Sequence, residues 1–126
     1  MAKQEVKHPD RETPLAAYSA GVSIDGWLHV SGQGPVDLKT GLVIPGSIEE
    51  QTRLTLSNVS KILEAAGCSL EDVVKCGCYI ADIQDFDRFN RTYAEYFTGV
   101  RPARTTVQAV LWGGIKVEID AVARLR

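Results

Sequence analysis

Polar and apolar side chains alternate along two segments near the end of the sequence, 103–111 and 115–125, which is the pattern of β-strands with one buried face. The polar side chains of one face are Arg104, Thr106, Gln108, Glu118 and Asp120. A planar guanidinium binds a carboxylate through two parallel hydrogen bonds, and a nearby acid can orient water or transfer a proton. The segments therefore suggest a site for a small carboxylic acid, although composition alone favours a solvated sheet face.

The sulfur and imidazole side chains do not follow the pattern of a metal site. Cys68, Cys76 and Cys78 are an odd number of cysteines, which argues against a disulfide framework and indicates a reducing, cytoplasmic location. Cys76 and Cys78 lie two residues apart in an apolar run, so we predict that they are small buried side chains. His8 and His29 have no ligand spacing, and we expect no metal ion.

Length and charge limit the classes of protein to which the chain can belong. Its 126 residues predict one domain, 1–126, in which the polar residues 1–14 form an N-terminal arm that becomes ordered near Pro14. A formal net charge of −2 and a pI near 5.6 provide no positive field for a phosphate backbone, which disfavours a nucleic-acid partner. The apolar runs are too short for a bilayer or a secretory signal, so we expect no membrane partner.

The sequence predicts five strands and two helices in the order β-β-α-β-α-β-β. Asp25-Gly26, between two apolar segments, is a strong signal for a two-residue hairpin turn. Ser47 and Glu50 form a capping box at the start of a helix, and Gly67 supplies the left-handed residue at its end. The predicted elements are strands 18–24, 27–31, 73–81, 103–111 and 115–125, with helices 48–66 and 84–97. This order predicts an α+β single domain in which two helices cover one face of a mixed sheet.

Two of these elements are predicted to be buried. Residues 73–81 are apolar on both faces apart from Lys75, which indicates a central strand. One side of the second helix carries most of the aromatic side chains, and we interpret this side as core packing. These aromatic residues are Phe86, Phe89, Tyr93, Tyr96 and Phe97.

The last two strands are predicted to form an antiparallel hairpin joined by residues 112–114. A three-residue loop places Gln108 opposite Glu118 and keeps the apolar and polar faces separate, whereas a two-residue loop would mix them. We therefore expect Arg104 and Glu118 on the same outward face of the sheet.

Several motifs resemble those of the RidA (reactive-intermediate imine deaminase) family, also called the endoribonuclease L-PSP or translation-inhibitor family. They occur in the family's order from about Tyr18 to the C-terminus. The most specific are Pro102-Ala103-Arg104 and the closing strand Ile115-Lys116-Val117-Glu118-Ile119-Asp120-Ala121-Val122-Ala123. The others are Ala17-Tyr18-Ser19, Val30-Ser31-Gly32-Gln33-Gly34, and Asn90 with Tyr93 and Tyr96-Phe97.

The resemblance implies a chorismate-mutase-like subunit in a homotrimer, with the sheets around a central barrel and a cleft between each pair of subunits. It also implies that Arg104 binds the substrate carboxylate and that Glu118 positions water. The implied catalytic residues are Arg104, Glu118 and Tyr18, and the implied substrate-binding residues are Arg104, Thr106, Ser31, Asn90 and Tyr18.

The chain departs from the family pattern at two places. Thr106 stands where many members have cysteine, so the implied chemistry does not require a thiol. Ala16-Ala17-Tyr18 stands where the family often has Gly-Pro-Tyr, a change that affects the loop and hence the size of the substrate.

The implied activity is hydrolysis of reactive enamines or imines, such as 2-aminoacrylate, to a 2-oxo acid and ammonia, as in a 2-iminobutanoate/2-iminopropanoate deaminase. With Arg104 holding the carboxylate, attack of water on the adjacent C=N becomes effectively intramolecular, and no cofactor is needed. Three alternatives stay open: a non-catalytic trimer that senses small 2-oxo acids, a ribonuclease or translation inhibitor, and a purely structural trimer. The acidic pI and the absence of a catalytic histidine pair disfavour the ribonuclease.

Overall fold

The computed structural model of the protein describes residues 2–126. Within this range the chain forms a mixed sheet covered by two helices, which confirms the predicted α+β class. The helices are α1 (Ile48–Ala65) and α2 (Phe86–Ala94). The strands are β1 (Gln4–Val6), β2 (Gly21–Ile24), β3 (Trp27–Gln33), β4 (Val36–Asp37), β5 (Leu42–Val43), β6 (Val73–Ile80), β7 (Ala103–Gln108) and β8 (Val117–Arg124).

The main sheet has six strands in the order β1-β2-β3-β8-β6-β7, and β4 and β5 form a separate two-stranded ribbon. β6 and β7 are parallel, and the other neighbours in the sheet are antiparallel. α1 packs against β3 and β8, and α2 packs against α1, so the helices and one face of the sheet enclose the core. Cys76 and Cys78 lie fully buried in this core, as predicted.

α1 begins and ends where the sequence predicted. The Ser47 hydroxyl accepts a hydrogen bond from the Glu50 backbone, and the Glu50 carboxylate accepts one from the Ser47 backbone. Gly67 has a φ of 79°, a left-handed conformation that stops the helix at little steric cost. The turn between β2 and β3 is also confirmed, because Asp25 and Gly26 both have positive φ, as a type I′ hairpin requires.

The N-terminal segment is ordered earlier than predicted. We expected order to begin near Pro14, but Gln4–Val6 already pairs with β2. His8 is buried, and its Nε2 lies 3.0 Å from Oδ1 of Asn58 on α1. The order of this segment could not be predicted from its polar composition, because the segment is held mainly by backbone hydrogen bonds at a sheet edge and by one buried imidazole.

The predicted hairpin between the last two strands is wrong. β7 pairs with β6 in parallel, and β8 pairs with the opposite edge of β6, so β6 separates the two strands. Residues 109–116 cross the end of β6 instead of forming a tight turn: the backbone N–H of Ala109 donates to Ile80, and that of Ala81 donates to Lys116. The central position predicted for 73–81 is correct, and it is this position that gives β6 two neighbours.

The strand order also overturns the predicted common face for Arg104 and Glu118. Residues paired across neighbouring strands share a face. Arg104 pairs with Cys76, which lies in the helix-covered core, whereas Glu118 pairs with Tyr79 on the opposite face. The alternation within each strand was read correctly, but each polar set belongs to a different side of the sheet.

None of the helices described for residues 2–126 has both the length and the apolar character needed to cross a membrane.

Candidate active site

A cavity of about 690 Å³ opens beside the bulged part of β3, and we call it the Glu118 cavity. β3 and β8 supply part of its wall, and the segments before β2 and after β3 supply most of the rest. Tyr18, with 42% of its surface exposed, lies at this cavity because β2 begins only at Gly21. The lining residues are Leu15, Ala16, Tyr18, Ser31, Gly32, Gln33, Gly34, Val36, Leu38, Gly41, Trp112 and Glu118.

A β-bulge shapes the wall of the Glu118 cavity. Val30 pairs with Ala121 and Gln33 pairs with Ile119, so Ser31 and Gly32 together occupy the space opposite one residue of β8. A Cβ atom at position 32 would collide with the Glu118 carboxylate, so only glycine lets this carboxylate lie against the backbone.

Ser31 is fixed by hydrogen bonds to the segment before β2. Its hydroxyl donates to the Ser19 carbonyl at 2.6 Å, and its backbone N–H donates to the Ala20 carbonyl at 2.9 Å. The Ser31 carbonyl in turn accepts a hydrogen bond from the Gln33 amide at 3.1 Å. These bonds connect the bulge to the segment that carries Tyr18, so the two sides of the cavity are held together.

The electrostatic surroundings of Glu118 favour its protonated form. Burial raises the pKa of this half-buried carboxyl above its usual value of 4.5, and the negative charge of Asp120 raises it further. Asp120 stays in place because it accepts hydrogen bonds from the Gly77 N–H at 2.9 Å and the Tyr79 hydroxyl at 3.0 Å. A carboxyl whose pKa is raised by burial and by a like charge is a common acid–base group of active sites.

A second cavity of about 450 Å³, the Arg104 cavity, is lined by Asn90, Tyr93, Ala94, Arg101, Pro102 and Arg104. The Arg104 guanidinium carbon lies 4.7 Å from the centre of the Tyr93 ring and 5.6 and 5.7 Å from the rings of Phe86 and Phe89. Cation–π attraction and close packing hold the guanidinium in a fixed position. Within residues 2–126 Arg104 forms no ion pair, so its donors are available to an external carboxylate.

The aromatic side of α2 forms core packing, as predicted, and also supports Arg104. Phe89, Tyr93 and Phe97 are buried and stack in succession, with ring centres 5.7 and 4.7 Å apart. The nearby thiols give Arg104 no counter-charge, because burial raises the pKa of Cys78 to about 12 and also raises that of Cys76.

Thr106 lines neither cavity. It pairs with Cys78 on the helix-covered face, and its hydroxyl is buried without a hydrogen-bond partner within residues 2–126. A buried hydroxyl without a partner is destabilising, so this hydroxyl keeps a hydrogen-bonding capacity that the described chain does not use.

The structure thus divides the predicted site residues into two groups. Tyr18, Ser31 and Glu118 line the Glu118 cavity, whereas Asn90 and Arg104 line the Arg104 cavity. The two groups lie on opposite faces of the sheet, so a single chain does not bring them together. Among residues 2–126, no group of three or more histidine, cysteine, aspartate or glutamate side chains is arranged to hold a metal ion.

Sequence reasoning missed several cavity residues. The predicted strand ended at Ser31, and Gly32 and Gly34 were noted as part of a family motif but not as a bulge, although a glycine inside a strand pattern is a signal of one. Trp112 was read only as part of a loop, and Leu15 and Leu38 lie outside regular elements, where periodicity carries no information. Arg101 was not singled out, although it stands one residue before the Pro-x-Arg motif.

Comparisons with known proteins agree with one another. A sequence profile of the family described as Endoribonuclease L-PSP matches residues 9–125. A RutC family protein of Pyrococcus horikoshii is 43% identical over 111 residues, which cover 87% of this chain and 88% of the relative. The 2-iminobutanoate/2-iminopropanoate deaminase of Rattus norvegicus is 42% identical over 110 residues, covering 86% of this chain and 80% of the relative. The crystal structure of YyfA from Yersinia pestis, a protein of unknown function of the conserved Rid family, superimposes with a TM-score of 0.92 at 34% identity, covering 98% of this chain and all of that one.

Proposed function

The chain belongs to the endoribonuclease L-PSP family, which includes Rid proteins, and from this membership we propose that it is a hydrolytic deaminase of reactive enamine and imine intermediates. Its substrates are 2-imino acids of the 2-aminoacrylate type, such as 2-iminopropanoate and 2-iminobutanoate. The mammalian relatives named as deaminases of these two compounds, at 40–42% identity, support the proposal. The observation that carries it is an Arg104 guanidinium fixed on aromatic rings without an ionic partner in the described chain.

In the proposed reaction, water adds to the imine carbon and the C–N bond breaks. The balance is R–C(=NH)–COO⁻ + H₂O → R–C(=O)–COO⁻ + NH₃, with no change of oxidation state and no cofactor. Arg104 binds the carboxylate through two parallel hydrogen bonds and fixes the adjacent C=N for attack. Glu118 orients the water and transfers protons between it and the leaving nitrogen, a role that its raised pKa favours.

The remaining predicted residues bind the substrate in this proposal. Tyr18 closes the cleft and hydrogen-bonds the substrate, and Ser31 and Asn90 supply polar contacts from the two cavities. The Thr106 hydroxyl lies on the same face of β7 as Arg104 but outside both cavities, and in this proposal it donates to a water molecule beside the bound carboxylate.

The proposal requires a second copy of the chain, because Arg104 and Glu118 lie on opposite faces of the sheet. We propose a homotrimer around a central barrel, in which the Arg104 cavity of one subunit meets the Glu118 cavity of the next. Exposed apolar side chains support such contacts: Val107 within β7 is 43% exposed, Val110 after β7 is fully exposed, and Val74 in β6 is 44% exposed. The three cysteines are free and buried, which fits a cytoplasmic location.

A coupled assay tests the proposed activity. A dehydratase that releases 2-aminoacrylate is mixed with the protein, and the formation of pyruvate and ammonia is followed. We expect the protein to accelerate product formation above the spontaneous rate of hydrolysis. No acceleration at micromolar protein would overturn the proposal and leave the sensor of 2-oxo acids as the better account.

The family description, which names an endoribonuclease, provides a second candidate function. The same preparation should therefore be incubated with single-stranded RNA. The net charge of −2 leads us to expect no cleavage. Cleavage that is lost in Arg104→Ala together with the deaminase activity would instead assign both reactions to one site.

A further inference from the structure

The Arg104 cavity contains a second guanidinium that the proposed reaction does not use. Arg101 lines the same cavity as Arg104, and Pro102 lies between the two arginines in sequence. A residue before proline is restricted to extended conformations, and the proline ring fixes its own φ, so the base of the Arg101 side chain is held in place. Arg101 lies before β7, outside the alternation of that strand, and its side chain lines the same cavity as that of Arg104, so both can reach one small molecule.

The Arg104 cavity has positively charged side chains in its lining and no negatively charged ones. None of its lining residues is acidic, and within the described residues 2–126 neither Arg101 nor Arg104 forms an ion pair. Most of the other exposed arginines do: Arg53, Arg88 and Arg126 each pair with a carboxylate. Two unpaired positive charges in one cavity of a chain with a net charge of −2 indicate a ligand with more than one negative charge.

We propose that Arg101 is a specificity determinant that selects imino acids with a second carboxylate on the side chain, the imines of acidic amino acids. The inference rests on the proposed deaminase function, because Arg104 still binds the carboxylate next to the reacting carbon. Arg101 binds the distal carboxylate. The Asn90 amide, in the same cavity, offers a further donor to either group.

The rates at which the protein hydrolyses two different imines test this inference. Amino-acid oxidases generate the imine of alanine or of glutamate, and kcat/KM is measured for each with the wild type and with Arg101→Gln. Because the variant loses a charge-assisted hydrogen bond, its kcat/KM for the glutamate imine should be lower than that of the wild type by about tenfold or more. Its kcat/KM for the alanine imine should stay within roughly twofold of the wild-type value. Arg91→Gln removes the same charge from an exposed position of α2 outside the cavity, and it should change neither value.

Binding of the reaction products separates this inference from the proposed function. We expect 2-oxoglutarate to bind the wild type more tightly than 2-oxobutanoate does in calorimetry, and Arg101→Gln to remove the difference. If the wild type hydrolyses no imine but keeps the preference for 2-oxoglutarate, the deaminase function fails and the second anion site stands. If Arg101→Gln weakens both ligands equally, or neither, Arg101 does not determine specificity and the inference is overturned.

Discussion

At the scale of single residues, the geometry of the Arg104 side chain matters as much as its charge. The guanidinium carbon lies over the Tyr93 ring, and a guanidinium offers a planar fork of donors, whereas an ammonium group cannot stack and donates from one point. We therefore expect Arg104→Lys to lower kcat/KM for 2-iminopropanoate by roughly a hundredfold without changing the melting temperature by more than a few degrees. Arg91→Lys, on the exposed side of α2, is the matched control. Near-full activity of Arg104→Lys would show that charge alone binds the carboxylate.

Glu118 combines a chemical role with a cost in stability. Its pKa is raised in the folded protein, so the folded state holds its proton more firmly than the unfolded state, and the free energy of unfolding falls as the pH rises through the usual value of 4.5 towards the folded pKa. Glu118→Gln removes this loss. We expect the variant to melt at a higher temperature than the wild type at pH 7 and to lose that advantage at pH 4.

Glu118→Gln should also lose activity without losing affinity for the ligand. Because the proposed role of Glu118 lies in the chemical step, Glu118→Gln should lower turnover by roughly a hundredfold and bind pyruvate with an affinity close to that of the wild type. The coupled assay and calorimetry on one preparation measure both quantities. Unchanged turnover would remove Glu118 from the mechanism.

At the scale of secondary-structure elements, the N-terminal segment is attached to the Glu118 cavity through His8. Its Nε2 lies 3.0 Å from the Asn58 side-chain oxygen, and its Nδ1 accepts the backbone N–H of Asp10. The Asn58 amide then donates to the carbonyls of Gly34 and Val36, both of which line the cavity. The only imidazole form that satisfies this arrangement is neutral, with its proton on Nε2.

This arrangement predicts a loss of stability in mild acid. Burial lowers the pKa of His8 below its usual value of 6.5, against the opposing effect of Asn58, while the charges of Asp10 and Lys61 act in opposite directions. The unfolded chain therefore takes up the proton at a higher pH, and the free energy of unfolding falls as the pH drops below about 6.5.

Urea unfolding at pH 7.5 and pH 5.5 measures the effect. His8→Gln places a neutral amide near the position of Nε2, so its stability should change less between the two pH values than that of the wild type. His29→Gln, at an exposed position of β3, should behave as the wild type does. Equal pH dependence in all three proteins would show that folding does not change the pKa of His8.

The elements also show how far the sequence could predict the fold. α1 was predictable because Ser47, Glu50 and Gly67 are local signals that act through the backbone of the helix itself. The partner of β7 was not, because alternation shows which residues of a strand share a face but not which strand lies beside it. The short connection 112–114 suggested a hairpin, although a central β6 requires a neighbour on each edge.

The candidate site was predictable in part for the same reason. The polar residues of the last strands were identified from their alternation, and Tyr18, Ser31 and Asn90 from the family resemblance. Their division between two cavities depends on the strand order, and the walls formed by Leu15, Leu38 and Trp112 come from segments without a periodic pattern. Such segments take their positions from tertiary contacts that one sequence does not display.

At the scale of the whole molecule, the two cavities carry complementary parts of one proposed reaction. One holds an arginine that forms no ion pair within residues 2–126, and the other holds a carboxyl group whose pKa is raised by burial and by Asp120. A substrate with an anionic carboxylate beside an imine needs both. The assembly proposed above makes each active site from two chains, which is a property that mixing experiments can measure.

Mixing two inactive variants tests whether the site lies between subunits. Arg104→Ala keeps Glu118, and Glu118→Gln keeps Arg104, so a hybrid oligomer contains some sites in which both residues are intact. If subunits combine at random in a 1:1 mixture, about a quarter of the sites receive an intact Arg104 from one chain and an intact Glu118 from the next, and the deaminase rate should recover to about a quarter of the wild-type rate. Mixing Arg104→Ala with the double variant that carries both changes provides the control, because no site in that mixture is complete.

Light scattering should show three chain masses for every oligomer, and a monomer at micromolar concentration would contradict the assembly. Recovery requires that subunits exchange, which is achieved by unfolding and refolding the variants together. If the co-refolded mixture is trimeric and remains inactive, Arg104 and Glu118 do not act in one site built from two chains.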